Sequence, residues 1–302
     1  MSNYDKEYSR KLITSQKAIE KIKNSSTIVL PPGPGAPLAL MAAIADRARS
    51  GDLRDIKIYT LFPMEQAHKT YLSPDLCDCI QTYSWFATGA DRSFIKVGLD
   101  YYVPNYYHQI PRLIRDFMQI DVTMTAVSPM DKAGYFTLGL SNDYTSTAAR
   151  HCKKLIVEVN ENMPRVFGDS LIHVSEVDAI IENTGPLPVV VPADPMPEDD
   201  IIGKFVIEMV PDGATIQLGW GNIPNTIARY LTNHKDLGIH TELLGPGIID
   251  LIKKGVVTGR KKNLHPRKSV FTNAIGTQSM YEFMNDNPGI ESYPVSYINN
   301  PD

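Results

Sequence analysis

The sequence is poor in cysteine and has no long apolar run. Its cysteines are Cys77, Cys79 and Cys152 among 302 residues; a low, odd count is typical of a reducing compartment and argues against a disulfide framework. Cys77 and Cys79 lie too close together to form a standard zinc site, so we expect no bound metal. No apolar stretch approaches the roughly 20 residues of a membrane-spanning helix. Because residues 1–23 are polar and lack a secretory signal, the sequence predicts a cytoplasmic protein that does not bind a membrane.

The sequence also lacks an excess of positive charge. The formal net charge is −4, and the short basic run at residues 260–262 is typical of a solvated loop, so we do not expect nucleic acid as a partner. Hydrophobic residues make up 43% of the sequence and charged residues 21%, which is ordinary for a globular protein. A chain of 302 residues has room for about two domains.

Segments with the pattern of strands alternate with segments with the pattern of helices. The predicted strands are residues 27–30, 56–61, 122–127 and 155–159, and the predicted helices are residues 38–49, 111–118 and 144–153. This alternation predicts an α/β fold whose mostly parallel sheet is covered on both faces. In such sheets ligands gather beyond the carboxyl ends of the strands, where we expect the turn-rich loops 31–37 and 128–136.

A proline-rich segment divides the chain. Residues 186–200 contain five prolines, and the alternation restarts after them with a predicted helix at residues 201–210. We therefore expect an N-terminal α/β domain at residues 1–190 and a C-terminal α/β domain at residues 191–302. The second has only about 110 residues and ends without a clear closing element, so we expect it to be truncated.

The segment from Ala214 to Leu244 predicts a strand, a glycine turn, a helix and a second strand. Gly219 and Gly221 interrupt the first apolar run, and Pro224 fits the first turn of a helix, where its missing N–H costs nothing. Glu242 lies inside the second predicted strand among apolar neighbours. Acidic side chains are rarely buried unless they are paired, so this glutamate requires an explanation.

Three interpretations fit this segment. In the first, the glycines form an ordinary turn and Glu242 lies on a solvated strand edge. In the second, the segment binds a dinucleotide, because Glu242 follows Gly221 by 21 residues, near the spacing of the acid that binds a ribose; however, Pro224 occupies the third glycine position. In the third, the carboxylate attacks an activated carbonyl group, and amides of the glycine turn stabilise the resulting oxyanion.

Six longer segments carry a resemblance. They are VSPMDKAGYFTLGLSNDYT (127–145), EVNENMPRVFGDSLIHVSEVD (158–178), QLGWGNIP (217–224), DLGIHTELL (236–244), KKGVVTGRKKN (253–263) and YEFMNDNPGIE (281–291). With these segments in this order, nearly the whole chain resembles the acetyl-CoA hydrolase/transferase family. This is the class I CoA-transferase group that includes 4-hydroxybutyrate CoA-transferase and butyryl-CoA:acetate CoA-transferase.

The resemblance implies two similar open α/β CoA-transferase domains, with the active site in the cleft between them. It implies that Glu242 is the catalytic glutamate. Gly219 and Gly221 match the loop that lines the coenzyme A site, and we expect Gln217 and Asn222, which flank that loop, to bind coenzyme A or the oxyanion together with the glycines.

The reaction implied by the resemblance is ping-pong transfer of coenzyme A. The donor is a short-chain acyl-CoA, such as acetyl-, butyryl- or 4-hydroxybutyryl-CoA, and the acceptor is a carboxylic acid. An acyl-glutamyl anhydride and a glutamyl-CoA thioester are the implied intermediates. Coenzyme A is then a substrate and no cofactor is bound permanently. The family also implies a homodimer or homotetramer.

Several other residues are candidates for the cleft. Asn160 and Met163 match a family motif, although they could equally shape a loop after the preceding strand. Gly33 and Gly35 resemble a first-domain loop that faces the cleft. His240 points to the same strand face as Glu242, and the alternative is a half-buried histidine outside the site. A tyrosine cluster, Tyr101, Tyr102, Tyr106 and Tyr107, predicts packing or an interface.

Two departures from the family pattern affect these expectations. Trp220 stands where the family's glycine loop usually carries a small aliphatic residue, so it either narrows the acyl or pantetheine path or packs aside. Family members also usually continue beyond the position of Asp302. We therefore expect Asp302 to be a truncation point, and the alternatives to a transferase are a hydrolase that uses the same glutamate and a non-catalytic remnant that binds coenzyme A.

Overall fold

The structure is a computed structural model that describes residues 2–301. Within them the strands are β1 (Thr27–Val29), β2 (Ile56–Thr60), β3 (Ile80–Ser84), β4 (Asp100–Tyr102), β5 (Ile120–Val127), β6 (Tyr135–Thr137), β7 (Cys152–Val159), β8 (Phe167–Gly168), β9 (Leu171–His173), β10 (Ala179–Glu182), β11 (Thr215–Ile216), β12 (Gly238–Leu244), β13 (Ser269–Ala274) and β14 (Ile290–Ser292).

The α-helices of the same residues are α1 (Asn3–Lys11), α2 (Ser15–Glu20), α3 (Leu38–Arg49), α4 (Glu65–His68), α5 (Gly89–Lys96), α6 (Ile110–Phe117), α7 (Thr145–His151), α8 (Pro197–Glu208), α9 (Asn222–Tyr230), α10 (Pro246–Lys253), α11 (Gln278–Met284) and α12 (Val295–Ile298). None of these helices is both long enough and apolar enough to span a bilayer.

Two parallel sheets organise the described part of the chain. A seven-stranded sheet has the order β10-β7-β5-β1-β2-β3-β4, and a five-stranded sheet has the order β11-β12-β13-β14-β8. Every strand pair within these two sheets is parallel. The expected α/β class with mostly parallel sheets is therefore confirmed.

A buried glutamate links the first sheet to the helix that covers it. Glu158, near the end of β7, accepts hydrogen bonds from the backbone N–H groups of Ala39 (3.2 Å) and Leu40 (3.1 Å) at the start of α3. Asn183 donates a third, at 2.7 Å. Burial raises the pKa of Glu158, while these donors satisfy helix N–H groups that have no partner within the helix. The contact fixes the start of α3 and, with it, the preceding loop.

The second sheet includes one strand from the first half of the chain. β8 pairs with β14 through Gly168 and Ser292. Gly168 has a φ of +97°, and a Cβ there would overlap the carbonyl oxygen of Ser292 and lie 2.9 Å from its amide nitrogen. Only glycine fits this close approach of two backbones. The domain boundary near residue 190 stays a prediction. β8 precedes that position in the sequence, but it pairs within the sheet whose other strands all follow it.

The basic run at residues 260–262 is not fully solvated. Lys262 is only 6% exposed, and its ammonium group donates to the carbonyl oxygens of Ile239 (2.6 Å) and Lys268 (2.7 Å). Burial lowers the pKa of Lys262 to about 8. The prediction of a solvated loop is therefore wrong for this residue, which anchors its loop to β12.

A buried acidic cluster lies beside β3 and β4. Asp91 is fully buried and Asp100 is 3% exposed, and Nε2 of His68 lies 3.8 Å from Oδ1 of Asp91. Burial, together with the neighbouring charge of Asp91, raises the pKa of Asp100 to about 6. Burial also lowers the pKa of His68. At neutral pH the cluster therefore holds buried negative charge with no compensating cation among the residues described here.

The first prediction concerns this cluster. Asp100→Asn should raise the free energy of unfolding by about 1–3 kcal/mol near pH 7.5 and by much less near pH 4.5. The pKa of Asp100 is about 6 in the folded protein, against an ordinary value of 3.8. The folded state therefore binds more protons between these values, and stability falls as the pH rises through this window. Urea unfolding at both pH values measures the difference.

The matched control is Asp116→Asn, because Asp116 is exposed and its carboxylate pairs with Arg115 at 2.8 Å. This variant should not reproduce the gain near pH 7.5. An equal gain for Asp100→Asn at both pH values would contradict the assignment of its effect to buried charge.

The second prediction concerns the strand that crosses between the halves. Gly168→Ala should lower the free energy of unfolding by at least about 1–3 kcal/mol, because alanine is strained at this positive φ and its Cβ meets backbone atoms. Gly185→Ala is the control, since a Cβ there meets nothing within 4 Å. Urea unfolding of both variants tests the pairing of β8, and equal stabilities would show that the pairing is not under this constraint.

Candidate active site

Glu242 lies near the carboxyl end of β12, which is flanked by β11 and β13. It is half-buried. Nδ2 of Asn299 donates a hydrogen bond to Oε2 of Glu242. Asn299 directly follows α12, so the end of this helix holds one carboxylate oxygen in place.

Glu242 opens into a cavity of about 350 Å³, which we call the aromatic cavity. Its lining residues from the first half of the chain are Pro34, Leu61, Phe62, Trp85, Phe86, Asn105, Tyr106 and Tyr107, and those from the second half are Trp220, Glu242, Leu243, Asn273 and Ile275. The first group follows the carboxyl ends of β1, β2, β3 and β4, and the second lies at or beyond those of β11, β12 and β13. The cavity is therefore formed where the carboxyl edges of both sheets face each other, as expected for a ligand site in an α/β fold.

The polar groups of the aromatic cavity are few. Asn273 pairs with Leu243 in the sheet register, and its Nδ2 lies 3.5 Å from the hydroxyl group of Tyr107. Burial raises the pKa of Tyr107 well above its ordinary value, and the charges of Asp143 and Glu242 raise it further. The phenol therefore stays protonated and can donate a hydrogen bond close to the carboxylate.

The glycine turn borders a second cavity. This glycine-loop cavity has a volume of about 220 Å³, and its lining includes Gly219, Gly221 and Asn222. Gly221 has a φ of +131° and lies at the N-cap of α9, where it has no side chain to cap the helix. Backbone N–H groups at such a helix start attract anions and oxyanions.

A threonine ties this turn to the strand of Glu242. The hydroxyl group of Thr241 accepts a hydrogen bond from the amide of Leu218 (3.2 Å) and donates to its carbonyl oxygen (3.0 Å). Thr241 is fully buried, so the segment before the glycine turn has little freedom to move relative to β12. The arrangement places a carboxylate and a set of backbone donors on adjoining cavities.

Trp220 separates the two cavities. Its side chain is 50% exposed and lines both of them, together with Leu243 and Ile275. The edge of its ring packs against Phe62, with ring centroids 5.7 Å apart. Trp220 therefore forms part of the wall between the cavities and does not pack aside.

Gly33 and Gly35 allow a loop to approach the cleft closely. They form a short 3-10 turn with Pro34, and Pro34 is the residue of this turn that lines the aromatic cavity. A Cβ on Gly33 would overlap the side chain of Met64, and one on Gly35 would lie 2.7 Å from Cβ of Ser141. The two glycines thus pack against neighbours, and the proline between them faces the ligand space.

Four other predicted residues lie outside the lining of both cavities. Nδ2 of Asn160 donates to the carbonyl oxygen of Gly185 at 3.1 Å. Met163 is buried in the apolar core that includes residues of β12 and β13. The ring of His240 lies 5.8 Å from that of Tyr297, and Gln217 is exposed before the glycine turn. For Asn160, Met163 and His240 the structural alternative accounts for the position, because each shapes a loop or packs on a helix.

Sequence reasoning missed several residues of the site. Asn299 lies outside the family motifs, Thr241 lies inside one but was not a candidate, and the aromatic side chains that follow β2 and β3 lie far from Glu242 in sequence. The tyrosine cluster was a usable signal, because Tyr106 and Tyr107 line the aromatic cavity, although the sequence predicted only packing or an interface. Within residues 2–301, no group of three or more histidine, cysteine or acidic residues could hold a metal ion.

Fold and site define a two-sheet α/β protein with a ligand cavity centred on a carboxylate. The model of the acetyl-CoA hydrolase/transferase N-terminal domain matches residues 1–192, and this chain belongs to that family.

Its relatives are CoA transferases. A succinyl-CoA:cyclohexane-1-carboxylate CoA transferase from Geobacter metallireducens is 41% identical over 99% of this chain and 67% of its own length. A 4-hydroxybutyrate coenzyme A transferase from Clostridium kluyveri is 38% identical over 97% of this chain and 68% of its own length. The crystal structure of RipA from Yersinia pestis superimposes with a TM-score of 0.97 at 43% identity, over 99% of this chain and 72% of RipA. The resemblance inferred from the sequence motifs is therefore confirmed.

Proposed function

We propose that this protein transfers coenzyme A between a short-chain acyl-CoA and a carboxylic acid, with Glu242 as the nucleophile. The observation that carries the proposal is the position of Glu242, at a strand end that opens into an apolar cavity beside a glycine turn. The activities of its relatives, which include a 4-hydroxybutyrate coenzyme A transferase and a butyryl-CoA:acetate CoA-transferase, support the same reaction type.

The proposed reaction begins when a carboxylate oxygen of Glu242 attacks the thioester carbonyl carbon of acyl-CoA. The thiolate of coenzyme A leaves, which gives an acyl-glutamyl anhydride. The thiolate then attacks the glutamyl carbonyl carbon and releases the first acid as its carboxylate, which leaves a glutamyl-CoA thioester. A second carboxylate repeats these steps in reverse, so that it leaves as the new acyl-CoA and Glu242 regains its free carboxylate.

The surrounding groups have distinct roles in this proposal. The pantetheine arm occupies the glycine-loop cavity, and N–H groups at Gly219, Gly221 and Asn222 stabilise the oxyanion of the tetrahedral intermediates. Asn299 is a positioning residue, because its amide orients the carboxylate so that one oxygen points into the aromatic cavity. No permanently bound cofactor takes part, and coenzyme A is itself a substrate. We further propose a cytoplasmic homodimer or homotetramer.

The third prediction tests the nucleophile. Glu242→Gln should lower the rate of coenzyme A exchange by at least roughly a thousandfold, because an amide cannot form the anhydride. Borohydride added to the unsubstituted protein with acyl-CoA should reduce the thioester of Glu242 to an alcohol, which peptide mass spectrometry detects. The control is Glu208→Gln, on an exposed residue at the end of α8. Reduction of another carboxylate, with full activity in Glu242→Gln, would contradict the assignment.

The same assay separates the alternative activities. Release of free coenzyme A without an acceptor acid would identify water as the acceptor and favour a hydrolase. Binding of coenzyme A with neither turnover nor reduction of Glu242 would favour the non-catalytic remnant.

The fourth prediction tests the positioning of Glu242. Asn299→Ala should lower kcat roughly tenfold to a hundredfold, the value of a hydrogen bond to a charged group, with a smaller change in KM. Asn299→Asp keeps the size of the side chain but removes the donor, so it should not restore kcat. Asn3→Ala, on exposed α1, is the control. An unchanged kcat in Asn299→Asp would leave Asn299 with a structural role only.

A further inference from the structure

The size and lining of the aromatic cavity indicate which carboxylic acid the enzyme accepts as a substrate. We infer that the acid that accepts coenzyme A is apolar and bulky, with a branched or cyclic group about the size of a six-membered ring, and that the rings around the cavity select it. This inference rests on the proposed transfer at Glu242, because that reaction places the acyl group of the thioester in the cavity into which Glu242 opens.

The first argument is the size of the cavity. Its volume is about 350 Å³, whereas an apolar cavity of about 150 Å³ already encloses a benzene molecule. A six-membered ring therefore fits, with room left for the thioester group. An acetyl group would leave much of the space unfilled, and the lining atoms would lose the dispersion contacts that a well-packed ligand provides.

The second argument is the chemistry of the wall. Phe62, Trp85, Phe86 and Tyr106 come from loops that follow strands of the first sheet, and Phe62 contacts Trp220 with 5.7 Å between ring centroids. Aromatic rings provide large apolar area at low conformational cost. Phe86 is 52% and Tyr106 70% exposed, which marks them as residues that a bound apolar group would cover.

The third argument is charge. Among the described residues that line the aromatic cavity, the charged one is Glu242, and none is lysine, arginine or histidine. A second carboxylate on the substrate would lie near Glu242 without a cation, and unpaired buried charge is strongly unfavourable. The amide of Asn105 donates one of its N–H groups to the carbonyl oxygen of Val103 at 2.8 Å, and it is neutral, so it cannot compensate a second carboxylate as a cation would. The cavity therefore favours an apolar acid over a dicarboxylic acid.

The tryptophans make a direct test possible. The sequence contains two tryptophans, Trp85 and Trp220, and both line this cavity, so intrinsic fluorescence reports on its occupancy. Three probes are uncharged amides, which avoid repulsion from Glu242: cyclohexanecarboxamide, 3-methylbutanamide and acetamide. A fourth probe, succinamate, carries a distal carboxylate. We expect cyclohexanecarboxamide to saturate the signal at a concentration at least roughly tenfold below that of acetamide. Succinamate should bind more weakly than cyclohexanecarboxamide and 3-methylbutanamide.

A pair of variants locates the preference. Phe86→Ala should reduce the ratio of the affinity for cyclohexanecarboxamide to that for acetamide by roughly tenfold, because the cyclohexyl ring of the ligand loses its contact with the phenylalanine side chain. Phe117→Ala is the matched control, since Phe117 is 71% exposed and does not line the cavity; it should keep the ratio of the unsubstituted protein. The comparison among the amides needs no variant, so it stands even if Phe86→Ala fails to fold.

Transfer assays with the corresponding acids separate this inference from the proposed function. A higher kcat/KM for cyclohexane-1-carboxylate than for acetate and succinate, together with the amide preference, supports the inference. Glu242-dependent transfer that favours acetate or succinate, or equal binding of all amides, overturns it and leaves the proposed function intact. A ring preference without Glu242-dependent transfer of any acid overturns the proposed function, and the substrate assignment falls with it.

Discussion

The position of Glu242 depends on the parallel pairing of β12 with its two neighbours. β12 lies between β11 and β13, and parallel strands end at the same edge of a sheet. The glycine turn after β11 and Asn273 of β13 therefore reach the place where Glu242 emerges. Thr241 secures the arrangement, because its hydroxyl group binds both backbone polar groups of Leu218 just before the turn.

The two sheets contribute different things to the site. The loops after β1 to β4 supply mainly rings and apolar surface, whereas β12, β13 and the end of α12 supply the carboxylate and the amides that surround it. Several contacts hold these edges opposite each other. Glu158 fixes the start of α3 and the loop before it, and β8 carries a piece of the first half into the second sheet. Trp220 and Phe62 then meet across the cleft.

Much of the fold followed from local pattern. The predicted helix at residues 38–49 coincides with α3, and the predicted strands at 122–127 and 155–159 lie within β5 and β7, because their apolar residues repeat within one element. β3 and β4 were missed, since both are short and polar. β8 has two residues, and its pairing partner lies more than a hundred positions away, so no local signal marks it. Lys262 looked solvated because burial of its stem and ammonium group depends on distant carbonyl groups.

The α/β class and the glycine turn could be read from residue types at short spacing, whereas the family and the candidate glutamate were implied by the resemblance that six longer motifs carry. The positions of Asn299 beside Glu242 and of Pro34 at the cleft, and the absence of Asn160, Met163 and His240 from its lining, depend on the tertiary structure. It also decided that rings from four separate loops form one cavity. Asn299 and Glu242 are 57 positions apart, and the rings that follow β2, β3 and β4 are further from the glutamate still. Such groups meet only when the carboxyl edges of two sheets pack against each other, and no pattern of neighbouring residues encodes that contact.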